Sequence, residues 1–94
     1  MIKVLIERVI AEGLEVPYEA AARNILQQAI QSPGYLFGES FIDMQRPNYR
    51  YVIVTWQNYH SWERWEQSPE RRECLDAFAP LLLEEEKITL LEPL

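Results

Sequence analysis

The sequence predicts an α+β sandwich, a four-stranded antiparallel sheet with its helices on one face. Three observations lead there. The segment Tyr51 to Gln57 is rich in β-branched and aromatic residues, as a half-buried strand requires. It runs directly into Tyr59, Trp62 and Trp65, whose spacing is helical. Ser68-Pro69 then ends one helix and opens the next, because a serine hydroxyl caps free backbone N–H groups and proline fits a first helical turn.

The other elements follow in order. Ile2 to Ile10 reads as a strand, with Ile2, Val4, Ile6 and Ile10 on one face and Leu5, Glu7 and Val9 on the other. Glu12-Gly13 makes a turn, and from Leu14 to Gln31 the positions Tyr18, Ala22, Ile25, Leu26 and Ala29 form an apolar stripe at helical spacing. Ser32-Pro33-Gly34 stops that helix. Tyr35 to Asp43 is the second strand, with Gly38 as its expected bulge, and the Pro47 connection pairs it antiparallel with a third strand, Tyr49 to Gln57. A short helix covers Tyr59 to Gln67. The helix after Ser68 carries Leu75, Phe78, Leu81 and Leu82, is disturbed by Pro80, and ends before the acidic run Glu84 to Glu86. Lys87 to Leu91 is the last strand. The order β-α-β-β-α-β, with its second helix broken near Ser68-Pro69, describes a ferredoxin-like sandwich in a single domain over residues 1–94.

Ninety-four residues are few for a self-sufficient core. The net charge of −6 argues against nucleic acid, whose phosphates an acidic surface repels. A lone Cys74 forms no internal disulfide, and the chain shows neither a leader-like segment nor an apolar run of membrane-spanning length. The expectation is a soluble cytoplasmic protein with no nucleic-acid or membrane partner. Because both faces of strand one are apolar while helices cover one, a second copy is expected on the other, forming a homodimer through the sheet face. The face with Ile2, Val4, Ile6 and Ile10 is assigned to that contact, which leaves Glu7 facing the helices.

A partly desolvated Glu7 suits a general base, and pairing with a nearby arginine is the structural alternative. Of Trp62 and Trp65, one is expected in the core and the other beside a cleft, and Trp65 is the candidate pocket wall; Trp56 is assigned to the core. Tyr18, Tyr35 and Tyr51 can donate hydrogen bonds to a carbonyl or phenol, or serve as scaffold. Arg71 and Arg72 can meet an anionic ligand or form a solvated face with Glu70 and Glu73. His60 has no ligating partner at a metal spacing, and Cys74 has no visible activating neighbour.

Ile-Glu-Arg at 6 to 8, Ser-Pro-Gly-Tyr at 32 to 35, Val-Thr-Trp at 54 to 56 and Trp-Glu-Gln-Ser-Pro-Glu-Arg-Arg at 65 to 72 occur in an order and spacing that resembles the antibiotic biosynthesis monooxygenase domain family. The resemblance covers nearly the whole chain. It implies a ferredoxin-like protomer, a dimeric α+β barrel, and a small-molecule pocket between sheet and helices. The haem-degrading branch of that family uses an Asn on strand one, a Trp after strand three and a His ten residues beyond. Here those positions hold Glu7, Trp65 and Leu75, so an axial haem ligand is not implied. The expected activity is cofactor-independent oxygenation of a small aromatic or quinol-type molecule, with Glu7 as base, Trp65 as wall, and Tyr35, Tyr51 and Arg71 as polar contacts. No cofactor or metal enters this reading. A non-catalytic ligand-binding dimer and an isomerase of a small carbonyl compound are the alternatives.

Overall fold

The computed structural model describes all residues from Met1 to Leu94. The elements are β1 (Ile2–Val9), α1 (Glu15–Ile30), β2 (Tyr35–Ile42), β3 (Tyr49–Trp56), α2 (Tyr59–Glu66), α3 (Pro69–Phe78), a 3₁₀ turn (Ala79–Leu81) and β4 (Lys87–Leu91). The strands form one antiparallel sheet in the order β2-β3-β1-β4, the arrangement expected from the sequence.

Local chemistry fixes the ends of these elements. The Asn58 side chain accepts a hydrogen bond from the Ser61 backbone N–H at 2.9 Å and opens α2. Ser68 Oγ accepts one from the Arg71 N–H at 3.1 Å and donates to the Trp65 carbonyl at 2.7 Å, so a single hydroxyl closes α2 and opens α3. Pro80 ends the α-helical ladder, and the chain tightens into the 3₁₀ turn. Gly34 has φ +91°, and a Cβ there would stand 2.1 Å from Ser61 Oγ, so only glycine lets the chain enter β2 beneath α2. The bulge in β2 is not at Gly38. The register shifts between Tyr35 and Phe37, which leaves Leu36 as the unpaired extra residue.

The two faces of the sheet are assigned the other way round from the sequence expectation. Val4, Ile6 and Ile10 pack with Tyr18, Ile25 and Ala29 of α1, Trp62 and Trp65 of α2, and Cys74 and Phe78 of α3. Leu5 and Glu7 therefore lie on the uncovered face. The uncovered face carries the ionised Lys3 and Glu7, whereas the covered face offers the apolar row Ile2, Val4 and Ile6 and sets its one β1 charge, Arg8, against the carboxylate of Glu86. Burying Val4 and Ile6 contributes about 1.5–3 kcal/mol each. The uncovered face still presents apolar surface, with Phe37, Phe41 and Leu91 each more than 40% exposed beside Leu5 and Ile53.

Candidate functional site

Strand alternation places Arg8 in line with Val4 and Ile6, on the face under the helices, where its side chain is 2% exposed. Arg71 stands one turn into α3, in phase with Cys74 and Phe78, and its side chain is 3% exposed. Both meet Glu86, which sits just before β4 and is 10% exposed. Arg8 Nε donates to Glu86 Oε2 at 3.0 Å, and Arg71 Nη2 donates to Glu86 Oε1. Arg8 Nη1 also donates to the Tyr18 hydroxyl at 3.3 Å. The guanidinium of Arg8 lies 4.2 Å from the centre of the Phe78 ring, and that of Arg71 lies 5.4 Å from a Trp62 ring. Two permanent cations thus share one buried carboxylate. Arg71 Nε is buried with no hydrogen-bond partner.

Arg8 and Arg71 also line an apolar cavity of about 40 Å³ between the sheet and α1, together with Ile25, Leu26, Val52, Val54 and Trp65. Ala22, Leu26, Ser40 and Val52 also line a wider cleft of about 290 Å³, which reaches the surface between α1 and the β2–β3 edge. Tyr18 lines that cleft together with Arg23, Arg50 and Glu19. Arg71 also borders a hollow of about 560 Å³ between α3 and β4, lined by Leu75, Phe78, Ile88 and the carboxylates Glu84, Glu85 and Glu86.

The candidate residues read from the sequence separate into two groups. Trp65 and Arg71 come together on the small cavity. Trp65 is only 5% exposed, however, and stacks on Trp56 at 6.4 Å, so it is a core residue with one edge on the cavity; Trp62 is buried as well. Arg71 is not part of a solvated Arg71–Arg72 face, because its helical phase turns it inward.

Glu7 lies across the sheet from them. It pairs in register with Tyr51 on one side and Lys87 on the other, with Lys87 Nζ at 3.9 Å, and the sheet itself separates it from Trp65. The placement of Glu7 in a cavity shared with Trp65 is therefore corrected, and Tyr51 moves with it to the open face. Tyr35 packs edge-on against Trp56 at 5.7 Å, away from the cleft, and burial pushes its phenol pKa up. His60 is exposed, 3.4 Å from an Arg64 nitrogen. Cys74 is buried, and desolvation raises its thiol pKa. No group of three or more His, Cys, Asp or Glu side chains is placed to hold a metal ion, and no helix is long and apolar enough to cross a membrane.

Arg8 and Glu86 are the residues that the sequence reading missed. Arg8 was detectable, being in phase with Ile2, Val4 and Ile6. Glu86 was not, since its partners are 78 and 15 positions away in the chain.

Residues 1–77 match the family model described as antibiotic biosynthesis monooxygenase. Among solved structures, a candidate antibiotic biosynthesis monooxygenase from Nitrosomonas europaea is 14% identical with a TM-score of 0.89, the match covering 100% of this chain and 99% of the other. One from Deinococcus radiodurans is 19% identical at TM-score 0.89, covering 99% and 92%. One from Bordetella bronchiseptica is 14% identical at TM-score 0.88, covering 99% and 96%. Likeness at these identities is likeness of fold. No curated protein sequence matches the chain. The family match, by contrast, is one of sequence and takes in everything from β1 to the last turn of α3: the chain belongs to the antibiotic biosynthesis monooxygenase family.

Proposed function

We propose that the protein is a monooxygenase-type enzyme that binds a small aromatic or quinol-type molecule in the cleft between α1 and the sheet. The observation that carries this reading is the cleft itself, with apolar walls from Leu26, Val52 and Trp65 leading to the guanidinium groups of Arg8 and Arg71. Such a site favours the ionised form of a phenol or enol, because fixed cations act strongly where water is excluded. Tyr18 lines the same cleft, and its hydroxyl oxygen accepts from Arg8, which leaves its hydrogen for a substrate oxygen.

The proposed step begins with loss of a substrate proton. The anion gives up electrons to O₂, one oxygen atom forms a new bond to carbon, and the other leaves as water. For a quinol, the two electrons that complete the reduction come from the substrate, which becomes a hydroxyquinone. No outside reductant enters the balance. Assembly belongs to the same proposal: a second copy covers Leu5, Ile53, Phe37 and Phe41 on the open sheet face, making a homodimer.

Oxygen uptake with a small quinol, followed by mass analysis after turnover in ¹⁸O₂, tests the reading. One labelled atom in the product, with uptake above the uncatalysed rate, is expected. Turnover without oxygen consumption would instead indicate an isomerase. Saturable binding with no turnover would indicate a carrier.

A further inference from the structure

We propose that the inner end of the cleft is an anion subsite, at which Arg71 and Arg8 together bind the carboxylate of a small amphipathic aromatic acid. The inference names the ligand class of the cleft proposed above. It rests on that cleft being the binding site and not on the oxygen chemistry.

The charge count is the first support. Arg8 and Arg71 bring two cations, Glu86 brings one anion, and the Tyr18 hydroxyl is the remaining polar partner; these directly bonded groups sum to one positive charge. The donor count is the second. Arg71 uses Nη2 on Glu86, while its Nε–H, on the same rigid fork, is buried without an acceptor. An arriving carboxylate oxygen would satisfy this N–H and neutralise the excess charge together.

Size and surroundings decide the direction of approach. A cavity of about 40 Å³ admits a carboxylate or a few waters but not an aromatic ring, so the anionic head enters and the ring remains in the outer cleft against Leu26 and Val52. The larger hollow that Arg71 borders is lined by three glutamates, which oppose an anion. The outer cleft has Arg23 and Arg50 against Glu19 alone, again one positive charge in excess.

Titration calorimetry with benzoate, benzamide and benzyl alcohol tests the proposal in the wild type, Arg71→Met and Ser40→Phe. Arg71→Met leaves Arg8 and Glu86 as a neutral pair, and Ser40 is an exposed residue on β2 whose enlargement narrows the passage without changing charge. Circular dichroism establishes that each variant is folded. Benzoate is expected to bind the wild type at least about tenfold more tightly than the two neutral probes, as charge-assisted hydrogen bonds imply. Arg71→Met is expected to remove that preference, and Ser40→Phe to weaken binding of all three probes. Equal affinities in the wild type would overturn the proposal, as would a benzoate preference that survives Arg71→Met or binding unaffected by Ser40→Phe. Benzoate binding in a protein that consumes no oxygen with any quinol would refute the oxygenase reading and leave the anion subsite standing.

Discussion

Neutralising Glu86 should be among the most damaging single changes in this protein, although its backbone lies outside helix and strand. In Glu86→Gln, Arg8 and Arg71 keep their places at 2% and 3% exposure but lose the one carboxylate between them. Breaking a buried ion pair while leaving its cation in place costs about 3–5 kcal/mol, and the amide oxygen retained by Gln holds the expectation near the lower figure. Against a total stability of about 5–15 kcal/mol that is a large fraction, equivalent to a fall of roughly 12 °C or more in the midpoint of a domain this size. Urea unfolding at fixed protein concentration measures it, the concentration being held because assembly shifts apparent stability. Arg71→Met is the control, since it leaves the Arg8–Glu86 pair balanced and should cost about 1 kcal/mol or less. A Glu86→Gln protein within about 0.5 kcal/mol of the wild type, or an Arg71→Met protein less stable than it, would refute the picture of a buried cluster with excess positive charge.

Trp65→Ala should lose about 3–5 kcal/mol by thermal unfolding, because the indole is 5% exposed and stacked on Trp56; a loss below 1 kcal/mol would mean that it is a dispensable wall. Ile53→Asp on the open face should give a folded monomer by sedimentation, whereas Ile6→Asp beneath the helices should unfold the chain; a dimeric Ile53→Asp protein would locate the contact elsewhere. Cys74 should react slowly with a thiol reagent in the native protein and rapidly in urea, since burial both shields the thiol and raises its pKa; equal rates would contradict its placement. At Asp43 the backbone N–H groups of Gln45 and Arg46, at 2.9 and 3.0 Å, hold the carboxyl below the usual carboxylate range. Its folded pKa is thus below its unfolded one, so its contribution to the β2–β3 turn is present above about pH 3.9 and is lost as pH falls through the folded value. Carboxyl NMR titration reads this directly, and a midpoint at or above the unfolded value would contradict it.

The order of elements was legible in the sequence because each is locally determined. The stripe from Tyr18 to Ala29, the hydroxyl of Ser68 and the break at Pro80 act within a turn or two of themselves. The sheet faces were misassigned for a different reason. Alternation in β1 separates two largely apolar sets of residues but does not say which set the helices cover. Lys3 and Glu7 share the face that stays uncovered, while Arg8, on the opposite face, is buried against Glu86, a partner that lies far along the chain. Arg71 was half legible, because the same helical phase that buries Cys74 and Phe78 must carry Arg71 inward. What local reasoning lacks is the partner. Glu86 lies in an acidic run that reads as a solvated loop, and only the pairing of β4 with β1 brings it over Arg8.

The charge balance around the cleft is opposite in sign to that of the rest of the chain. The cleft and its inner end hold Arg8, Arg23, Arg50 and Arg71 against Glu19 and Glu86, four positive charges less two negative ones, a local balance of +2. The remaining five Lys and Arg and thirteen Asp and Glu sum to −8, which with +2 restores the chain's −6. If the cleft binds a small anion as proposed, a positive cleft in a negative surface would discriminate by size as well as by sign. Large polyanions meet the shell first and are repelled, whereas a small anion passing between α1 and β2 is within a screening length of the arginines before it makes contact, given a Debye length of about 8 Å at physiological salt. The association rate of benzoate should therefore fall as salt is raised while that of benzamide stays constant. Equal salt dependence would mean that the cleft charges act only after contact.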